Sequence, residues 1–111
     1  MPIKKVVIES PFSGNVTENI EYTLKCIHDS HRIRKEAPIA SHLLYTRYPE
    51  KGHIDDDDEE RRNHGIHCGF EWNKHADLVA IYTDNGITRG MKYGIEFAIK
   101  YNIPLEYRTL K

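Results

Sequence analysis

The chain has 111 residues, 39% hydrophobic and 30% charged, enough for one domain over residues 1–111 and no second. Sixteen Lys and Arg face seventeen Asp and Glu, a net charge of -1, which argues against a protein that grips a nucleic acid polymer mainly through its phosphates. There is no run of about 20 apolar residues to span a membrane and no export signal at the start, and Cys26 and Cys68 make no disulfide framework, so a cytoplasmic protein is expected.

Residues 4–9 open the chain as a strand. Val6, Val7 and Ile8 form an unbroken β-branched run, which suits a strand covered on both faces. Residues 10–15, SPFSGN, read as a turn, and Asn15 with Glu18 makes a capping box for a first helix. Val16, Ile20, Leu24 and Ile27 then recur at helical spacing, one apolar stripe that runs to about His31. APIASHLLY, residues 37–45, reads as a second short strand with its exit loop. Residues 46–62 lack apolar periodicity and hold six consecutive acids at 55–60. A second helix is expected from near Asp58 to Lys74 or His75, with Ile66, Phe70 and Trp72 inward. Its glycines, Gly65 and Gly69, either lower helix propensity or mark a face where another backbone comes close; with the small core and the excess of aromatic residues they suggest a homodimer or larger closed oligomer with this helix in the interface. Residues 76–83 form the clearest strand, 84–90 a turn centred on Asn-Gly, and a third helix follows over about 88–102. Pro104 opens a last short strand. This alternation predicts an α/β fold: three layers around a small doubly wound, mostly parallel sheet of about four strands, Rossmann-like.

In such a sheet the ligand crevice lies beyond the carboxyl ends of the strands. Three segments arrive there, and two of them lead into helix N-termini, whose free N–H groups favour a phosphate. The expected ligand-binding residues are Ser10, Phe12, Ser13 and Gly14 in the first loop, His42 after the second strand, and Thr88, Arg89, Gly90 and Met91 in the third segment. Tyr45, Tyr48 and Trp72 offer rings that stack on a base, although Trp72 fits a core or interface position as well. His42 suits either an acid–base group or a loop cap. His64 and His67 lie three apart, but a zinc site needs further ligands, so no metal is expected. The acidic run reads as a Mg²⁺ site or as a solvated loop leading into a helix N-terminus. Asp84 follows the clearest strand and is the strongest polar candidate; it also fits an Asx turn with Gly86.

The loop SPFSG after a buried strand and the run ADLVAIYTDNGITRGMKYGIEFAIKYNIP resemble the nucleoside 2-deoxyribosyltransferase-like family. Within it, the chain looks most like a small group of phage and bacterial proteins of undefined role. Asp84 matches the family's Asp after the strand, Gly90 its helix-opening glycine, Ala98 its helix Ala and Pro104 its proline before the last strand. In element order the resemblance spans nearly the whole chain; its residue matches are confined to these two segments. It implies a small Rossmann-like domain without a cofactor, a homodimer or larger homo-oligomer with pockets completed across subunits, and cleavage or exchange at the N-glycosidic bond of a 2'-deoxynucleoside or its 5'-monophosphate. It also implies a loop Asp that meets the sugar, a part assigned to Asp56.

One position departs from the pattern. The family's catalytic Glu lies four residues before the Ala, and here that position is Gly94. Glu96 is two residues later, about 200° round the helix. The helical wheel places it with Lys92 and Lys100 in solvent, opposite a buried stripe of Met91, Ile95, Ala98 and Ile99. The carboxylates left for the anomeric carbon are Asp84, Asp56, Glu96 and, at the end of the first strand, Glu9. Three functions stand side by side. One is an enzyme acting on a (deoxy)nucleoside 5'-monophosphate. Another is a protein that binds or sequesters a nucleotide or nucleotide-derived signal without chemistry, and the third is a structural or regulatory subunit.

Overall fold

The computed structural model describes residues 2–46 and 59–111. In chain order these form β1 (Lys5–Glu9), α1 (Val16–His28), a π-helical turn (Asp29–Ile33), β2 (Ala37–Ile39), a single helical turn α2 (Ser41–Leu44), α3 (Glu59–Asn73), β3 (Leu78–Tyr82), α4 (Arg89–Lys100) and β4 (Leu105–Arg108). All strand pairs are parallel, in the order β2-β1-β3-β4. The register sets Val7 opposite Ile39 on one side and Val79 on the other, with Val79 opposite Leu105. Helices occupy each connection, as parallel pairing requires.

Side chains alternate across a strand, so the sheet divides the core in two. Val6, Ile8, Leu78, Ala80 and Tyr82 pack with Tyr22 and Cys26 of α1. Val7, Val79 and Ile81 pack on the opposite face with Met91 and Ala98 of α4 and with Ile103. Phe70 of α3 stacks on Phe97 of α4, ring centroids 4.2 Å apart, which places α3 on the α4 side. The result is the expected three-layer α/β architecture. The same alternation carries Glu9, two residues beyond Val7, to the α3–α4 side.

Some side chains depart from the expected pattern. Leu24 is 54% exposed and Ile99 is 61% exposed. The buried face of α1 is centred on Tyr22 and Cys26, one turn apart, and Leu24 lies about 200° round from Tyr22. On α4 the buried row is Met91, Gly94 and Ala98, and Ile99 falls one step outside it. The helix expected to reach His31 ends at His28 and widens into the π-turn. There Asp29 accepts from the Tyr82 hydroxyl at 2.7 Å, and the Ser30 hydroxyl donates to Glu36 at 2.8 Å. Only the first half of the Asn15 capping box forms: the Asn15 side chain accepts from the Glu18 N–H at 3.2 Å. Trp72 is 61% exposed and donates to the Tyr45 hydroxyl at 2.8 Å.

Candidate functional site

The order β2-β1-β3-β4 makes the carboxyl ends of β1 and β3 the point where successive connections leave on opposite faces, the usual place for a crevice. A cavity of about 560 Å³ opens there between α3 and α4, a volume suited to a small molecule. Glu9, Ser10, Phe12 and Ser13 line it from β1 and the following loop. Ser41, His42, Tyr45 and Thr46 line it from α2 and its exit. From α3 come Arg62, Gly65, Ile66, Phe70 and Asn73, which recur at helical spacing along one face. Thr88, Arg89, Gly90, Met91, Tyr93 and Gly94 close it from α4.

Close packing at two glycines holds these walls. A Cβ on Gly65 would lie 3.0 Å from the Tyr45 carbonyl oxygen, and one on Gly69 would lie 2.8 Å from Ser41 Oγ. The glycine pair therefore lets α2 settle on α3 within the same chain. Asn19 of α1 donates to the carbonyls of Phe12 and Ser13, each at 2.9 Å, and fixes the first loop over the cavity. Thr88 caps α4 by accepting from the Met91 N–H at 3.3 Å.

The Glu9 carboxyl is the most unusual group in the site. It occupies the space beside Gly94 so fully that a Cβ on Gly94 would fall inside it. Among the described residues no cation or donor offsets its burial, and burial alone pushes its pKa up to about 8. Whole-residue exposure is intermediate because the cavity itself reaches the side chain. The carboxyl thus fills the space that a side chain at position 94 would take.

His42 sits at the head of a directed hydrogen-bond chain. Thr23 Oγ1 donates to the Asn19 carbonyl at 2.8 Å, so it accepts from Ser10 Oγ at 2.6 Å. Ser10 Oγ in turn accepts from His42 Nε2 at 3.0 Å. This order places the ring proton on Nε2 and leaves Nδ1 as an acceptor. Burial pushes the imidazole pKa down to about 4. Near pH 7 both Glu9 and His42 are therefore neutral, while the exposed Arg62 and Arg89 stand on the cavity wall with the N-terminus of α4. Arg89 Nε donates to the Tyr93 hydroxyl at 3.2 Å.

Of the residues expected to bind a ligand, Ser10, Phe12, Ser13, His42, Thr88, Arg89, Gly90 and Met91 line this one cavity. Gly14 lies outside the lining and takes φ +97° in the turn. Asp84 is also outside it. Its carboxylate accepts from the Tyr22 hydroxyl at 2.6 Å and from the Leu110 N–H at 3.0 Å, which ties α1 to the chain after β4. Glu96 lies exposed on the outer side of α4. Asp56 and Tyr48 fall outside the described residues. The sequence offers Glu9 only as one further carboxylate at the end of the first strand and does not place Arg62, Asn73 or Tyr93 in the site. The signals were the two-residue step from Val7 to Glu9 and the helical spacing of Ile66, Phe70 and Asn73. His64 Nε2 and Cys68 Sγ lie 3.6 Å apart, and among the described residues no group of three potential metal ligands forms.

Residues 4–108 match the family model of a domain of unknown function (DUF7768). No curated protein matches the chain. Among solved structures, the chain is similar to a 2-deoxyribosyltransferase from the psychrotolerant bacterium Bacillus psychrosaccharolyticus. The TM-score is 0.67 and the identity 17%, over 95% of this chain and 72% of that one. At that identity the likeness is one of fold alone.

Proposed function

We propose that this chain, which belongs to the DUF7768 family, binds a (deoxy)nucleoside 5'-monophosphate in the cavity and cleaves or transfers its N-glycosidic bond. The observation that carries this reading is the Glu9 carboxyl, buried on the cavity wall against Gly94. The phosphate is assigned to the N-terminus of α4 with Thr88, Arg89 and Gly90, where free N–H groups and a guanidinium favour an anion. The sugar lies beside Glu9. The fold shared with a deoxyribosyltransferase supports the reaction class.

A carboxyl with a pKa of about 8 is protonated near neutral pH. In the proposed step it gives that proton to the departing base nitrogen as the C1'–N bond breaks and the bonding pair leaves with the base. The carboxylate left behind stabilises the positive charge that develops at C1'. Water, or a second base in a transfer, then bonds to C1' and returns a proton to Glu9. Asp84, bonded to Tyr22 and the Leu110 backbone, and Glu96, exposed on the outer side of α4, have no part in this sequence.

The test is base release from a panel of ribo- and deoxynucleoside 5'-monophosphates, followed by chromatography, with calorimetric binding alongside. Glu9→Gln is expected to slow release by roughly 100-fold or more, with affinity within a few fold of wild type. Release unchanged by Glu9→Gln would overturn the assignment. A second reading rests on Gly94, which has no side chain where the resembled deoxyribosyltransferase-like family is expected to carry its catalytic Glu: a protein that holds the nucleotide without turnover. Tight nucleotide binding with no base release from any substrate would select it.

A further inference from the structure

The face that α3 turns to the cavity runs from solvent into the core. Arg62 is exposed, Gly65 and Ile66 are half-buried, and Asn73, the last residue of the helix, is 2% exposed. Eleven residues of helix separate the two ends, roughly 16 Å. At the inner end, Asn73 Oδ1 is sealed from solvent and meets no hydrogen-bond donor among the described residues, so a ligand reaches it as the amide turns toward the cavity that Asn73 lines. Buried polar atoms are nearly always paired, and an unpaired one costs about 1–3 kcal/mol. The walls leading there are apolar. Phe70 is held flat by its stack on Phe97, with rings 15° from parallel, and Met91 is 1% exposed.

We infer that Asn73 reads the hydrogen-bonding edge of a flat heterocycle whose face lies against Phe70. A side-chain amide presents an acceptor beside a donor, so it suits a ring edge that offers an N–H or amino group next to an acceptor. This inference rests on the nucleotide reading and deepens it: the base occupies the inner end and the phosphate the mouth, with the glycosidic bond between them. A sugar phosphate without a base leaves the Asn73 oxygen unpaired. The subsite therefore selects for base-bearing ligands.

The test compares wild type with Asn73→Leu, which has similar volume and no polar atom, and with the smaller Asn73→Ser. Calorimetry uses nucleoside 5'-monophosphates carrying each of the common bases, and deoxyribose 5-phosphate as the base-free probe. Asn73→Leu is expected to lose about ten- to a hundredfold in affinity for the base-bearing ligand that wild type prefers. Its affinity for the sugar phosphate is expected to stay unchanged. Without ligand its melting temperature holds or rises, because an unpaired buried oxygen has been removed. Asn73→Ser is expected to show the same differential loss. Equal affinity of wild type and both variants for every monophosphate would overturn the inference. So would a lower melting temperature of Asn73→Leu with affinity unchanged, the mark of an amide paired by buried water. Differential loss at Asn73 without base release from any substrate supports the subsite and removes only the proposed reaction. Failure of wild type to bind any base-bearing monophosphate overturns both.

Discussion

A side chain at residue 94 and the carboxyl of Glu9 compete for one volume. The carboxyl is the far end of a flexible chain with an open cavity beside it, so it can yield. Gly94→Ala is therefore expected to cost less than the roughly 1–3 kcal/mol of overpacking against fixed atoms. Base release, in contrast, is expected to fall at least about tenfold, because the carboxyl is pushed off its seat. Thermal melts and release rates on the same variant separate the two effects; a large loss of stability with normal release would contradict the argument. Protonation gives a second handle. The Glu9 pKa is about 8 in the fold against 4.5 in a free chain, so the folded state holds this proton more tightly. That contribution is complete below pH 4.5 and is lost as pH rises through about 8. His42 acts in the opposite sense. Its pKa falls from 6.5 to about 4, so stability declines as pH drops through that interval. The two slopes offset each other between pH 4.5 and 6.5, and from 6.5 to 8 only Glu9 remains of this pair. Wild-type melting temperature is expected to fall over pH 6.5 to 8, and Glu9→Gln is expected to lose that component. An identical slope in both proteins would place the Glu9 carboxyl in water.

Among the elements, β1, β3 and α4 were the most legible, because a β-branched run and a strand–turn–helix succession are local patterns. Parallel pairing followed from the helices between strands. What local pattern does not carry is the partner on another element. Asp84 stands at the end of β3, where a ligand-binding acid would stand, but Tyr22 of α1 and the Leu110 backbone take its oxygens. The Tyr22 hydroxyl holds the Asp84 carboxyl below the usual carboxylate range. Asp84→Asn is accordingly expected to lower stability by about 1–2 kcal/mol, with base release per folded molecule nearly unchanged. Loss of release at full stability would return Asp84 to the site. Glu9 does not stand out in the sequence for the same reason: its neighbour Gly94 comes from the far end of the chain, and only the packing of α4 on the sheet brings them together. The glycine pair on α3 is filled from within the same chain: Gly65 faces the Tyr45 backbone and Gly69 the Ser41 side chain, neighbours that spacing along α3 does not identify. The exposed Leu24 and Ile99 show the limit of the helical stripe, since spacing alone does not say which side of a helix meets the sheet.

Across the whole molecule, charge and polarity are graded along the cavity. The sheet face and the α3–α4 interface supply apolar walls, and two titratable groups inside, Glu9 and His42, are neutral near pH 7. Exposed guanidiniums stand at Arg62 and Arg89, beside the open end of α4. This gradient orients a ligand that is anionic at one end and uncharged at the other, although the chain as a whole carries a net charge of only -1. A nucleoside 5'-monophosphate should therefore bind on the order of tenfold more tightly than its nucleoside, since charge-assisted bonds to a phosphate are worth about 1.5–3 kcal/mol before solvent screening. The advantage should shrink with added salt, because the Debye length falls from about 10 Å at 0.1 M to about 3 Å at 1 M. It should shrink again in Arg89→Ala, while nucleoside affinity stays the same. Calorimetry of both compounds at two salt concentrations, on wild type and variant, measures all three effects. Equal affinity for nucleotide and nucleoside in wild type would remove the phosphate from the mouth. An advantage kept in Arg89→Ala would leave the phosphate to Arg62 and the α4 N–H groups, where Arg62→Ala is the deciding variant.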